Sequence, residues 1–262
     1  MINLLNGANV LVTRPAHQAE KLSHLIEGAG GVAIRFPTLA IVSVDDPCRI
    51  QSTLSHLDRY QWLVFISANA VSMYSYYTDS DKMEKLKSVR IAAIGKATAQ
   101  ALAAAGLPVD LVPETGYNSE ALLAMPQMQH VNGQRFLVVR GEGGREELAD
   151  TLGSRGANVE YLDVYKRTIP GIDGSQVSLL IAQDKLDAIT ITSGEVLKNL
   201  LIMLEENHQR LFNVPVVAVS GRIGQIAADI GFKRIAVAHD HSDAAIFETV
   251  TMFVTGGLKW PN

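Results

Sequence analysis

Apolar residues in this chain come in short runs, separated by longer segments in which they recur at helical spacing. Residues 10–13 form the first run, and Ala19, Leu22 and Ile26 then follow every three or four positions before a glycine-rich stretch. A short run rich in β-branched residues predicts a buried strand, and the spacing after it predicts an amphipathic helix. The same succession repeats along nearly the whole chain. It predicts an α/β fold in which parallel strands are covered by helices on both faces.

Part of the sequence occurs twice, about 126 residues apart. Residues 10–22 match residues 136–148, so that Arg14 corresponds to Arg140, and residues 66–68 match residues 192–194 at the same offset. A chain of 262 residues is long enough for two cores of ordinary size. We therefore expect two doubly wound α/β domains with a ligand cleft between them.

The amino-acid composition disfavours several classes of binding partner and bears on where the protein is located. The 23 basic and 27 acidic residues give a net charge of −4, which provides no general attraction to nucleic acid or to an anionic membrane. The single cysteine, Cys48, excludes an internal disulfide and a multi-cysteine metal site. No apolar run reaches about 18 residues, and the first residues lack the pattern of a signal peptide. We expect a cytoplasmic protein.

The loops that follow the predicted strands carry the candidate chemistry, because ligands of parallel sheets bind at the carboxyl ends of strands. Six such loops are rich in Gly, Ser, Thr and basic residues, and they begin at Arg14, Ser67, Gly95, Arg140, Thr192 and Ser220. Helix capping alone explains any one of them. Six loops of one composition favour a site for a polyanion.

Several common chemistries lack their motifs. No GxGxxG or GxxxxGK[ST] follows a strand, so a dinucleotide and a P-loop nucleotide are disfavoured. His239 and His241 lack the spacing of a zinc site, and Ser67 and Ser193 stand outside any GxSxG elbow. Tyr165, which precedes Pro170-Gly171, either packs as a linker anchor or donates a proton.

Five segments in this order resemble the uroporphyrinogen-III synthase family, from Val10 to about Val250. They are VLVTRP at 10–15, FISANAV at 65–71, AAIGKATAQAL at 92–102, SEALL at 119–123 and LDVYKRT at 162–168. The resemblance implies a hydro-lyase of heme biosynthesis. Such enzymes cyclise the linear tetrapyrrole hydroxymethylbilane to uroporphyrinogen III, with loss of water and inversion of ring D through a spiro intermediate. A non-catalytic two-lobed protein that binds a small anion or a nucleotide is the alternative.

The resemblance also implies how the domains divide. It implies two flavodoxin-like domains that are discontinuous, one formed by residues 1–37 plus 167–262 and the other by residues 38–166. Two linker strands, at about 38–41 and 163–166, would join them. Thr38 and Val164 fall at the repeat offset of 126, which agrees with this division.

By the same resemblance, Tyr165 is the catalytic residue and assists departure of the substrate hydroxyl. The residues implied to bind the substrate carboxylates, or to order the loops that do, are Arg14, Ser67, Asn69, Gly95, Lys96, Thr98, Ser119, Arg140, Thr192, Ser193, Ser220 and Arg222. Arg14 either binds substrate or stabilises the turn after the first predicted strand. Relatives often have a Gly-Pro-Thr-Thr-like turn where this chain has residues 220–223, which leaves a threonine role there open. No cofactor and no metal are expected, and we expect a monomer that meets the preceding enzyme of the pathway transiently at most.

Overall fold

The computed structural model describes residues 3–79, 86–116, 118–144, 146–205 and 208–256. It confirms the α/β class, with parallel strand pairs in two five-stranded sheets. The strands are β1 (Asn9–Val12), β2 (Val32–Arg35), β3 (Ala40–Val42), β4 (Trp62–Phe65), β5 (Arg90–Ala93), β6 (Arg135–Gly141), β7 (Asn158–Thr168), β8 (Ala188–Ile191), β9 (Val216–Ala218) and β10 (Ile235–Val237).

The α-helices of the described ranges follow most of these strands. They are α1 (Ala16–Gly28), α2 (Pro47–Leu54), α3 (Ala68–Tyr77), α4 (Lys96–Ala104), α5 (Ser119–Ala124), α6 (Glu147–Ser154), α7 (Ser175–Ala182), α8 (Gly194–Met203), α9 (His208–Leu211), α10 (Gly221–Ile230) and α11 (Asp243–Val254). Short 3₁₀ helices lie at Leu57–Arg59, Leu86–Ser88 and Pro126–Met128. None of the helices in these ranges is long and apolar enough to cross a bilayer.

The chain divides into two compact units. Unit 1 comprises Met1–Ala40 with Thr168–Asn262, and unit 2 comprises Ile41–Arg167. The sequence-based division changes domain at residues 37/38 and 166/167. The predicted linker at about 38–41 overlaps the start of β3, and that at 163–166 lies in the second half of β7. These two strands are neighbours in one sheet.

Unit 1 has the sheet order β2-β1-β8-β9-β10. Its central strands are apolar on both faces, and Leu11, Ile189 and Val217 are fully buried, as expected for a parallel sheet between two helical layers. The chain is anchored where it leaves this sheet at Thr38. The Thr38 hydroxyl donates to the Val196 carbonyl at 2.9 Å, and the Asn199 amide donates to the Thr38 carbonyl at 2.8 Å.

Unit 2 has the sheet order β3-β7-β6-β4-β5. Alternate residues of its central strands enter two different cores. Leu63 and Leu137 pack in one cluster, whereas Trp62 and Phe136 pack in the other with their rings stacked, the centroids 6.1 Å apart. Because successive side chains of a strand point to opposite faces, the two clusters lie on opposite faces of the sheet, and both faces are buried. The loops at its carboxyl edge are thereby held on a rigid base.

The two sheets share one strand order across the sequence repeat. In that repeat β1 corresponds to β6, β2 to β7, β4 to β8 and β5 to β9. The order β2-β1-β8-β9 in unit 1 is therefore equivalent to β7-β6-β4-β5 in unit 2. Each sheet takes two of these strands from the first copy and two from the second. The repeated sequence thus does not coincide with a compact unit.

A polar network closes the amino edge of the unit 2 sheet around Tyr60, which is 1% exposed. The Tyr60 hydroxyl donates to Glu160 Oε2 at 2.7 Å, and Arg135 Nη2 donates to Glu160 Oε1 at 2.9 Å. Arg59 donates to the same carboxylate at 2.7 Å, and its guanidinium carbon lies 4.8 Å from the centroid of the Tyr60 ring. This network joins β6, β7 and the turn before β4.

Glu160 makes the network sensitive to pH. Burial raises the pKa of its carboxyl, but hydrogen bonds from Tyr60 and Arg135 and the two arginine charges outweigh burial, so the pKa lies below the ordinary value of 4.5. The folded state therefore favours the ionised carboxylate. Its contribution to stability is present above the ordinary pKa and is lost as the pH falls through the folded-state value.

We expect Glu160→Gln to lower the urea midpoint of unfolding at neutral pH, because the amide keeps the hydrogen-bond acceptor but loses the charge. The difference from the wild type should shrink as the pH falls below 4.5. Tryptophan fluorescence, to which Trp62 of the same unit contributes, follows the transition. Glu114→Gln, at an exposed loop position, is the control. A difference that is constant with pH would contradict the assigned role of the charge.

Candidate active site

A cavity of 360 Å³ opens in unit 2 at the carboxyl ends of β4, β5 and β6. Four of the residues predicted from the sequence line it, namely Ser67, Ser119, Arg140 and Tyr165. These residues come from three separate strand ends and from α5. The parallel pairing of β6 with β4 on one side and with β7 on the other brings the residues of these strands to one edge of the sheet.

Tyr165 lies on β7 and is 5% exposed. Its hydroxyl is 3.2 Å from Ser67 Oγ, and either oxygen can be the donor. Its carbonyl accepts a hydrogen bond from the Glu142 amide at 2.8 Å. The pairing register of β6 and β7 shifts here, because Arg140 is opposite Asp163 whereas Gly141 is opposite Tyr165. Such a bulge changes the direction of a side chain at the end of a strand.

Ser67 is fixed by its place at the start of a helix. It is the N-cap of α3, and its Oγ accepts a hydrogen bond from the Ala70 amide at 3.0 Å. Because this oxygen already accepts from the backbone, its own proton remains available to the Tyr165 oxygen. The N-terminal end of the helix also carries a partial positive charge close to that oxygen.

Arg140 is the buried cation of the cavity, with 9% of its side chain exposed. Its Nε donates to Asp163 Oδ1 at 2.8 Å, and its Nη1 donates to the Gly144 carbonyl at 3.2 Å. Its guanidinium carbon stands 3.5 Å from the centroid of the Tyr161 ring. Burial raises the pKa of Tyr161, and the charge of Arg140 partly offsets this rise. Arg140 is thus held rigidly, and Asp163 balances part of its charge.

The other predicted residues of unit 2 are not among those that line the cavity. Gly95 is the buried N-cap of α4, Lys96 is exposed at the first position of that helix, and Thr98 is 3% exposed. Asn69 is the second residue of α3. These residues lie in the same set of loops and helix starts, so their predicted role in ordering the loops stays a prediction.

Several residues at or beside the cavity, Arg167 among them, were given no role from the sequence, and three of these contact the predicted residues or the helix that carries one. Asn118 caps α5 by accepting from the Ala121 amide at 2.8 Å, Asp163 pairs with Arg140, and Gly141 contacts the ring of Tyr165. The start of α5 was recognisable in the SEALL segment. No local signal identifies the other two, because both act through residues of a neighbouring strand.

Unit 1 places its predicted residues at the carboxyl ends of β1, β8 and β9. Arg14 forms an ion pair with Asp243, the first residue of α11, and its Nε is buried without a hydrogen-bond partner in the described part of the chain. Ser193 caps α8 by accepting from the Val196 amide at 3.1 Å, and Thr192 precedes it. Ser220 precedes α10 without a side-chain cap, and Arg222 is exposed in the first turn of that helix.

No metal cluster is found in the ranges that the structure describes. No group of three His, Cys, Asp or Glu side chains there could hold a metal ion. A larger cavity of 410 Å³ in unit 1 is lined by residues such as Arg210 and Arg234. It lies at the amino ends of β8, β9 and β10, the edge opposite to the predicted loops. We therefore take the unit 2 cavity as the candidate site.

Comparison with known proteins gives one consistent family. The sequence model described as "Uroporphyrinogen-III synthase HemD" matches residues 20–248. Uroporphyrinogen-III synthase of Escherichia coli (strain K12) is 28% identical over 244 residues, which cover 92% of this chain and 99% of that protein. A crystal structure of mutant uroporphyrinogen III synthase from the extremely thermophilic bacterium Thermus thermophilus has a TM-score of 0.64 at 18% identity and covers 95% of this chain and 100% of that one. The crystal structure of uroporphyrinogen-III synthetase from Helicobacter pylori 26695 has a TM-score of 0.59 at 15% identity. It covers 92% of this chain and 97% of that one.

We expect Asp163→Ala to destabilise unit 2, because it leaves the buried guanidinium of Arg140 without its carboxylate. Breaking a buried ion pair costs about 3–5 kcal/mol, and we expect about 2 kcal/mol here since 30% of the Asp163 side chain is exposed. Urea unfolding measures the loss. Asp58→Ala, at an exposed position of the same unit, is the control. An unchanged midpoint would mean that solvent replaces Asp163 at no cost.

Proposed function

The chain belongs to the uroporphyrinogen-III synthase family, and we propose that it converts hydroxymethylbilane to uroporphyrinogen III with Tyr165 as the proton donor. The observation that carries the assignment of Tyr165 is its hydroxyl, since the buried residue lines the cavity and its hydroxyl lies 3.2 Å from that of a helix-capping serine. A phenol held in this way can give up a proton at a defined point.

The reaction needs a proton at its start and releases one at its end. The C–O bond of the terminal hydroxymethyl group breaks, and the hydroxyl takes a proton and leaves as water. The azafulvene that remains forms a C–C bond to the substituted carbon of ring D and gives the spiro intermediate. The bond between that carbon and the methylene bridge to the neighbouring ring then breaks. The freed methylene carbon bonds to the other α-carbon of ring D, which loses its proton. The protons balance, so one tyrosine can act as donor and be restored.

The neighbours of Tyr165 suit a transient phenolate. When the phenol loses its proton, Ser67 Oγ can donate to the phenolate oxygen, because the hydrogen bond that it accepts from the Ala70 amide leaves its own proton unused. The N-terminal end of α3 favours negative charge at the same place. Ser67 would therefore act as a hydrogen-bond donor to Tyr165, in addition to its predicted contact with substrate.

The cavity is of a size for one end of the substrate. Pockets for small ligands measure about 300–1,000 Å³, and 360 Å³ is small for four pyrroles with eight carboxylates. We propose that Arg140 and Ser119 receive carboxylates of the ring that carries the leaving hydroxyl. Arg14, Thr192, Ser193, Ser220 and Arg222 of unit 1 stay proposed ligands for other carboxylates.

The activity test uses freshly made hydroxymethylbilane, which closes to uroporphyrinogen I without an enzyme. We expect the protein to yield isomer III at a rate far above that of the uncatalysed closure, measured by separating the oxidised uroporphyrin isomers. Isomer I alone, at the rate seen without protein, would refute the proposed function. Binding of uroporphyrinogen without turnover would favour the non-catalytic alternative.

Tyr165→Phe tests the proton donor. The ring and its packing remain, so we expect kcat to fall roughly 100-fold or more while KM changes little. Tyr76→Phe is the matched control, since Tyr76 lies on α3 with 75% of its surface exposed. Unchanged kcat in Tyr165→Phe would exclude the role of the hydroxyl and leave the family assignment intact.

A further inference from the structure

Gly141, the last residue of β6, lies against the ring of Tyr165. A Cβ atom placed on Gly141 would be 2.5 Å from Cε2 and from Cζ of Tyr165, and 2.9 Å from its hydroxyl oxygen. Carbon atoms that are not bonded approach to about 3.5–4.0 Å. Any side chain at position 141 therefore excludes the tyrosine ring from its present place.

The backbone of Gly141 does not itself require glycine. Its φ lies outside the left-handed region, in contrast to Gly143 two residues later, where φ is 72°. Residues with a Cβ adopt such a conformation without strain. The space taken by Tyr165 is thus the reason that a side chain does not fit.

The position of Tyr165 is set from this same strand end. The register shift between Arg140 and Gly141 leaves Val164 as the extra residue of β7, and it places Tyr165 opposite Gly141. The Glu142 amide then holds the Tyr165 carbonyl at 2.8 Å. Backbone and ring are both fixed against β6, and the hydroxyl meets Ser67 on the adjacent strand end.

We propose that Gly141 is a positioning residue of the reaction, which sets the place of the Tyr165 hydroxyl by leaving room for its ring. This inference rests on the proposed function. With alanine at 141 the ring moves by about 1 Å to reach an ordinary contact distance. The adjoining cavity of 360 Å³ gives it somewhere to move. The fold survives, but the hydrogen bond to Ser67 and the alignment of the phenol with the leaving hydroxyl are lost.

The test compares Gly141→Ala with Gly153→Ala. Gly153 lies in α6 of the same unit, and a Cβ there meets no atom within 4 Å. A misplacement of about 1 Å costs about 100-fold in rate, so we expect kcat of Gly141→Ala to fall by this order with KM within a few-fold. Its near-ultraviolet tyrosine circular dichroism changes as well. Gly153→Ala should match the wild type in each measurement. Wild-type kcat in Gly141→Ala would overturn the proposal.

A double-mutant cycle separates positioning from general packing. In the Tyr165→Phe background the hydroxyl is absent, so adding Gly141→Ala should lower kcat less than two-fold further. A second full loss would show that Gly141 acts independently of the hydroxyl and would overturn the proposal. If Gly141→Ala does not fold alone, Tyr165→Leu combined with it should restore folding, because the ring is gone. Failure of that rescue also overturns it.

Failure of the proposed function gives a different result. The wild-type protein would then form no isomer III, whereas the change in tyrosine circular dichroism in Gly141→Ala would still report a displaced ring. An active wild type with a neutral Gly141→Ala refutes the positioning role alone.

Discussion

The pairing of strands from different copies of the repeat is the constraint on which the rest of the structure depends. β1 pairs with β8, so that Val10 is opposite Ala188, and β4 pairs with β6, so that Trp62 is opposite Phe136. The second pairing places the loop after β4 beside the end of β6. Ser67 thereby reaches the tyrosine of β7, which is bonded to the other side of β6. Other pairings of the same strands would build sheets of equal hydrophobicity without this contact.

The strands themselves could be predicted, because an apolar run and the helix after it are local patterns. Residues 136–139 repeat the apolar run at residues 10–13 and lie in β6, and the neighbouring β7 continues to Thr168. Buried and exposed residues alternate less clearly in the second half of β7, because the bulge at Val164 leaves two consecutive residues, Val164 and Tyr165, buried. Strand order could not be predicted from the repeat, which by itself suggests two copies side by side. That information lies in hydrogen bonds between residues far apart in sequence.

The residue types of the site could be predicted from the sequence, but their spatial arrangement could not. Ser67 and Ser193 are helix N-caps that accept hydrogen bonds from backbone amides. Because the same residue types also bind anions at helix N-termini, the sequence does not distinguish a cap from a ligand of the substrate. Arg140 was recognisable as a cation at a strand end. Its carboxylate partner, Asp163, was not, because only the register of β6 with β7 brings them together. The sequence likewise predicts a loop position for Gly141, because the contact with the Tyr165 ring depends on the pairing of β6 with β7.

The interrupted course of unit 1 also sets an order of events during synthesis. Unit 2 is one continuous stretch that ends at Arg167, whereas β1 and β2 acquire their neighbour β8 only when residue 191 has been added. At about 5–20 residues per second, β1 and β2 wait roughly 8–30 s for that partner. Throughout that interval Leu11, Val12 and Leu22, fully buried in the finished protein, lack the part of their core that comes from residues after Thr168. The nascent amino-terminal segment is therefore open to chaperone binding and to aggregation during this interval.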